Sequence, residues 1–217
     1  MSIGIGENLT GSFGFAKDKL VGSIGNWILL IILTIIPIVD LIAIGTYLKV
    51  YRGEDPKVEN IGKSFVDGLL AFIIAFIYLL IPTIILLVLG GGTLFAAALT
   101  GSVASFVGVG IGVLILCIIL YILFGLIMTP AIVNFARKGF GAAFNFSEIF
   151  GMIGKAGWLK YILSIIVLGI IFGVIYGVIG LLGLIPVAGS AIMWIVMFIV
   201  LPFFAVWGSK FWTNLFE

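Results

Sequence analysis

The stretch WLKYILSIIVLGIIFGVIYGVIGLLGLIPVAGSAIMWIVMFIVLPFFAVW, residues 158–207, decides how this chain folds. It contains two long apolar runs, which are joined by the short segment IPVAG at residues 185–189. A helix that crosses a bilayer needs about 20 mainly apolar residues, and each run is close to that length. The stretch therefore predicts a hairpin of two membrane-spanning helices.

The composition of the whole chain also indicates that most of it is surrounded by lipid. Of its 217 residues, 63% are hydrophobic and 9% are charged, whereas soluble domains have about 25% charged residues. Membrane β-barrels need alternating apolar and polar residues, but the runs here are continuously apolar. The sequence therefore predicts an all-α integral membrane protein, with residues 1–217 in a single polytopic domain.

The basic residues indicate how the chain is oriented. All eleven lie in four places: two at Lys17 and Lys19, four within 49–63, four within 137–160, and one at Lys210. The apolar loops at 90–105 and 185–189 have none. Since Lys and Arg favour the cytoplasmic side, we expect a cell-membrane protein whose N- and C-termini are both cytoplasmic.

Residues 20–50 have two interpretations. They could form one span from Trp27 to Leu48 that is kinked at Pro37, or a short hairpin that turns at residues 37–40. The charge distribution favours the hairpin, because it keeps the N-terminal lysines on the same side as the other basic residues. We therefore expect about six transmembrane or half-membrane helices in three hairpins, with Asp40 outside unless the first hairpin stops short of the far surface.

Two further segments are expected at the membrane surface. Phenylalanine and isoleucine recur at helical spacing between residues 140 and 155, which predicts an amphipathic helix, and the aromatic and lysine residues near the N-terminus predict a second one. A Phe-x-Phe motif precedes a Trp by 12 residues in both 13–49 and 144–210, and an Ile-Pro turn follows each time. This pattern is typical of a parallel internal repeat, although short apolar motifs also match by chance.

Small residues mark one helix face. Gly169, Gly173 and Gly177 are spaced by four, as in a glycine zipper, and Gly108 and Gly112 form a weaker pair of the same kind. This spacing lets two helix backbones approach closely in lipid. We expect first a packing role inside the monomer, and as the alternative a contact with a second copy or another membrane subunit.

Few residues could carry chemistry. Asp40 and Asp67 are the acids closest to membrane depth, where an acid is a candidate functional residue, but both lie beside a turn or a helix start, which favours a structural role. The chain has no histidine and one cysteine, and it has no nucleotide-binding motif. We therefore predict a protein that is not an enzyme and has no catalytic residue, metal, cofactor or nucleic-acid partner.

Several short motifs resemble a known family: IPIV at 36–39, GTYL at 45–48, FVDGL at 65–69, Pro130-Ala131, and GAAFNF at 141–146. They are similar to those of an archaeal and bacterial multi-pass membrane family known only as domain of unknown function 4013. More distantly, the arrangement of membrane segments resembles that of the membrane part of some glycerophosphodiester phosphodiesterases. The resemblance implies a multi-pass helical fold, but no activity and no functional residue.

These observations predict a non-enzymatic membrane protein that acts through helix packing, as a scaffold, assembly factor or accessory subunit of a membrane complex. A small transporter or channel is the first alternative, and a lipid-binding membrane protein is the second. Membrane lipids are the one class of partner that the composition implies directly.

Overall fold

The computed structural model describes residues 3–217, which are 87% helical and contain no strand. Three short 3₁₀ segments lie at 21–23, 140–144 and 182–184. The α-helices of this part of the chain are α1 Ile5–Leu20, α2 Ile24–Ile35, α3 Asp40–Tyr51, α4 Ile61–Leu99, α5 Val103–Lys138, α6 Phe146–Ala156, α7 Trp158–Leu181 and α8 Gly189–Leu215. The prediction of an all-α fold is confirmed.

Five helical stretches are long and apolar enough to cross a membrane. They are Ile5–Ile35, which counts α1 and α2 together, and Ile61–Leu99, Val103–Lys138, Trp158–Leu184 and Gly189–Leu215. Their high hydropathy and low internal burial are what lipid-facing helices require, since the bilayer and not the protein covers their apolar side chains. The chain is therefore a multi-pass membrane protein.

The first hairpin is present. Helix α2 ends at Ile35, a turn occupies residues 36–39, and α3 runs back from Asp40. Asn26 near the start of α2 donates a hydrogen bond to the carbonyl of Pro56. Lys49 near the end of α3 donates to the carbonyl of Lys57, which follows Pro56 in the sequence. Both open ends of the hairpin thus meet the same loop, and the alternative of a single kinked span is excluded.

The arms of this hairpin are short. Helices α2 and α3 have 12 residues each, or about 18 Å at 1.5 Å per residue, whereas the hydrocarbon core is about 30 Å thick. When the charged ends lie at one surface, Asp40 at the tip lies near the middle of the membrane and not outside it. Arms of this length fit a hairpin of the half-membrane kind better than one that crosses the whole core.

The second hairpin is long. Helices α4 and α5 have 39 and 36 residues, or about 58 and 54 Å, so they must tilt or extend beyond a bilayer core of about 30 Å. The two helices contact each other through a hydrogen bond of 2.8 Å between Thr83 and Tyr121. Further out, Gly90 of α4 leaves room for the side chain of Val113 of α5.

The packed part of the molecule lies at its charged end. One apolar cluster joins α4, α5, α6 and α7 around Tyr78, Phe135 and Tyr161. A second joins α1, α2, α3 and α8 around Leu30 and Trp207. Beyond these clusters most side chains are exposed, and none of the most apolar window of α5 is buried. The fold is thus a compact charged end from which two long hairpins project.

Both predicted surface segments are helical. In α6, Ile149 and Ile153 are buried while Phe146 and Phe150 are exposed, so the predicted amphipathic helix is present. Helix α1 packs against the end of α8, where Asn8 donates to the carbonyl of Phe211. The two termini of the described chain therefore lie at the same end of the molecule. The repeat of 13–49 in 144–210 stays a prediction.

Candidate functional site

The glycine face of α7 is open. A Cβ atom added at Gly169, Gly173 or Gly177 would have no heavy atom of residues 3–217 within 4 Å in its surroundings. Packing inside the monomer, the role that we expected first, does not use this face. A contact with an external partner stays a prediction. Gly108 and Gly112 in α5 have equally open surroundings among the described residues.

The side chains beside these glycines are also exposed. Ile170, Val174 and Val178 have relative exposures of 61%, 60% and 60%, and because each follows one of the glycines they form an exposed row beside the glycine row. The result is an apolar surface with a shallow furrow in which the glycines form the floor. Such a surface lets a second helix backbone approach closely.

Close backbone contact between α3 and α4 occurs at two other glycines. A Cβ on Gly45 of α3 would overlap the carbonyl oxygen of Ser64, and a Cβ on Gly68 of α4 would overlap that of Leu41. These two glycines let α3 and α4 touch along their backbones. The sequence reading missed them because each is a single glycine in its own helix, with no spacing pattern to mark it.

Asp67 has a structural partner. Its Oδ2 atom lies 2.7 Å from Nη1 of Arg52, and the two side chains are only 16% and 18% exposed. The Nε atom of the same arginine donates a hydrogen bond of 2.7 Å to the carbonyl of Ala136 at the end of α5. Asp67 therefore orients an arginine that binds the end of a neighbouring helix, which agrees with a structural role.

Arg137 binds three carbonyl oxygens. Its Nε donates to Tyr51 at the end of α3, its Nη2 to Thr213, and its Nη1 to Phe216 at the end of α8. The last four carbonyls of a helix have no partner within the helix, and that end carries a partial negative charge. Arg52 and Arg137 thus neutralise the partial negative charge of the carbonyls where the ends of α3, α5 and α8 meet.

The two arginines occupy corresponding positions 85 residues apart. Arg52 binds the carbonyl that precedes Arg137, and Arg137 binds the carbonyl that precedes Arg52. A buried polar side chain lies three residues before each arginine, Lys49 before Arg52 and Asn134 before Arg137. Each donates a hydrogen bond to the carbonyl eight residues further along the chain, which is that of Lys57 for Lys49 and that of Ala142 for Asn134. The next helices, α4 and α6, begin at equivalent positions. The ends of α3 and α5 are therefore built in the same way.

A groove opens beside this junction. Its volume is about 630 Å³, and the charged side chains that line it are Arg137, Lys138, Glu148, Lys155, Lys160 and Glu217. Asn134 at its base is 1% exposed. The amide of Asn134 donates to a carboxylate oxygen of Glu148 at 3.0 Å. Lys138 forms an ion pair with the same carboxylate, so the base of the groove is held by a small polar network.

Within residues 3–217, no three His, Cys, Asp or Glu side chains come together as metal ligands would. Cys117 is a free thiol in α5. The absence of catalytic activity and of a cofactor stays a prediction. In the sequence, Arg137 is one of the basic residues within 137–160 that orient the chain, and no sequence pattern marks the carbonyls that it binds or the groove beside it.

Comparison with known proteins places the chain in a family. No curated protein and no solved structure matches it, and the likeness to glycerophosphodiester phosphodiesterases stays a prediction. The family described as protein of unknown function, DUF4013, matches residues 28–184, which is well over half of the chain. The chain belongs to this family of unknown function.

Proposed function

We propose that this chain is a non-enzymatic protein of the cell membrane that acts through helix packing, as a scaffold, assembly factor or accessory subunit of a membrane complex. Its docking surface is the α7 face defined by Gly169, Gly173 and Gly177, which we call the glycine face. Its N- and C-termini lie on the cytoplasmic side, together with the basic loops. The observation that carries the proposal is the open surroundings of these glycines.

The occupant of the glycine face is a transmembrane helix. Glycine in a helix interior costs roughly 0.5–1 kcal/mol relative to alanine, and a helix packed against three open glycines in register would compensate for that cost. Small residues spaced by four are self-complementary, because the same furrow on two copies allows a symmetric crossing. A second copy of this chain is therefore the occupant that we propose.

Four polar side chains of the apolar helices are satisfied locally, which favours helix packing over solute transport. The hydroxyls of Thr34 and Thr46 donate to carbonyls of their own helices, and Thr83 and Tyr121 bond to each other. A transport path requires polar groups that face a shared cavity. Groups that are satisfied locally in this way do not form such a path.

Native mass in mild detergent tests the proposal, with Gly173→Leu compared with Gly125→Leu. Gly125 of α5 has equally open surroundings among the described residues, so both variants add the same side chain to an exposed apolar helix surface. We expect the wild type and Gly125→Leu to be dimers, and Gly173→Leu to be largely monomeric.

Two results would contradict the proposal. One is a wild-type protein that stays monomeric and copurifies with no other membrane subunit. The other is a Gly173→Leu variant that associates as well as the wild type. A wild-type complex with a different subunit that Gly173→Leu alone disrupts would retain the docking face and replace the second copy as its occupant.

A further inference from the structure

We propose that the groove beside Arg137 binds a phosphate-bearing anion, and that the headgroup of an anionic phospholipid is its source. Four basic side chains line the groove, against the two acidic side chains of Glu148 and Glu217. The groove volume of about 630 Å³ is large enough for a phosphodiester headgroup. This inference is independent of the glycine face.

The acid at the base of the groove is already neutralised. The Glu148 carboxylate accepts from the amide of Asn134 and pairs with Lys138. Arg137 uses three of the five N–H groups of a guanidinium on carbonyl oxygens, and it keeps its full positive charge. The local balance therefore leaves an excess of positive charge in the groove.

Lys155 and Lys160 supply that excess. Within residues 3–217 neither lysine forms an ion pair; the four ion pairs of that region involve other residues. Lys160 lies in the first turn of α7, where the helix dipole disfavours a cation. Helix stability therefore does not explain its position, whereas binding of an anion does.

Two aromatic residues of α6 and α7 that lie outside the groove lining indicate the depth of the groove in the membrane. Phe150 of α6 and Trp158 of α7 stack with ring centroids 6.1 Å apart, and they are 42% and 47% exposed. Exposed tryptophan rings at the end of a span mark the membrane interface. Because Lys155 and Lys160 flank Trp158 in sequence, their ammonium groups reach the level of the lipid phosphates.

The test measures binding of phosphatidylglycerol to the full-length protein by native mass spectrometry, with phosphatidylcholine, which is zwitterionic and has no net charge, as the reference lipid. The variant is Lys155→Gln with Lys160→Gln. The matched control is Lys57→Gln with Lys63→Gln, which removes the same charge from two exposed lysines outside the groove. At about 1 kcal/mol for each lysine near the lipid surface, we expect the groove variant to bind phosphatidylglycerol roughly 10- to 30-fold more weakly.

Two further measurements separate the outcomes. Replacing Lys155 and Lys160 with arginine keeps the charge and must keep binding, so a loss of binding in that variant would overturn the proposal, as would an equal loss in the control variant. Competition with glycerol 3-phosphate distinguishes the two sources of the anion. If it binds the wild type and the groove variant loses it while lipid binding is unchanged, the site takes a soluble phosphate ester and the lipid assignment is overturned.

Discussion

Replacing Gly45 with alanine tests the contact on which the first hairpin depends. A Cβ atom at this position would overlap the carbonyl oxygen of Ser64, which belongs to the backbone of α4 and cannot rotate away as a side chain would. The two helices would have to separate to accept one methyl group. Gly68 makes the reciprocal approach to α3, so the separation would loosen both contacts.

The expected loss follows from two opposing terms. Overpacking a well-packed contact costs typically 1–3 kcal/mol, and a rigid backbone neighbour puts Gly45→Ala at the upper end of that range. The higher helix propensity of alanine returns about 1 kcal/mol. The free energy of unfolding should therefore fall by about 2 kcal/mol, which lowers Tm by about 4–8 °C for a chain of this length.

Thermal unfolding of the purified protein in one detergent measures this difference. Gly125→Ala is the matched control, because its added methyl group meets no described atom within 4 Å and the gain in helix propensity remains. We expect the control to raise Tm by about 2–4 °C. If Gly45→Ala is as stable as Gly125→Ala, α3 and α4 do not touch as described and this reasoning is refuted.

Three further predictions concern the charged end and the first hairpin. Arg137→Lys should lower the free energy of unfolding by about 2–3 kcal/mol, because one ammonium cannot bind three carbonyl oxygens in the geometry of a guanidinium; Lys63→Gln, as the surface control, should leave the unfolding midpoint unchanged. Tyr78→Phe should cost about 1–2 kcal/mol in the same unfolding assay, because it leaves a buried carbonyl without its donor. A cysteine at position 40 should react slowly with an impermeant thiol reagent from either side, whereas one at Val187, a fully exposed turn residue, should react rapidly from the far side. Equal rates at the two positions would contradict a half-membrane hairpin.

The apolar runs and the positions of the charges were sufficient to predict the helical class and the turn near Pro37. The charges favoured the turn because Lys and Arg tend to lie on one side of a membrane, and a hairpin keeps Lys17 and Lys19 on the same side as the other basic residues. The same reasoning could not place Asp40, because its depth depends on the length of two arms whose charged ends are fixed by contacts with a distant loop.

The contacts between helices were beyond the sequence. Gly45 and Gly68 are isolated glycines, and only the relative positions of α3 and α4 reveal that their backbones touch. Periodicity correctly identifies Gly169, Gly173 and Gly177 as one face, but it contains no information about which helix, if any, lies opposite. Arg137 reads as one more basic residue near the membrane, since the carbonyls that it binds belong to two other helix ends.

Cross-linking through position 173 in native membranes tests the glycine face most directly. In a Cys117→Ala background, a single cysteine is placed at Gly173 or, as the control, at Gly125, and the membranes are oxidised before solubilisation. If the glycine face binds a second copy, the cysteine at 173 gives a disulfide-linked product of twice the chain mass, and the cysteine at 125 gives little or none. If neither position yields a product, or both yield it equally, the α7 glycines do not bind a second copy of this chain and the central claim is contradicted.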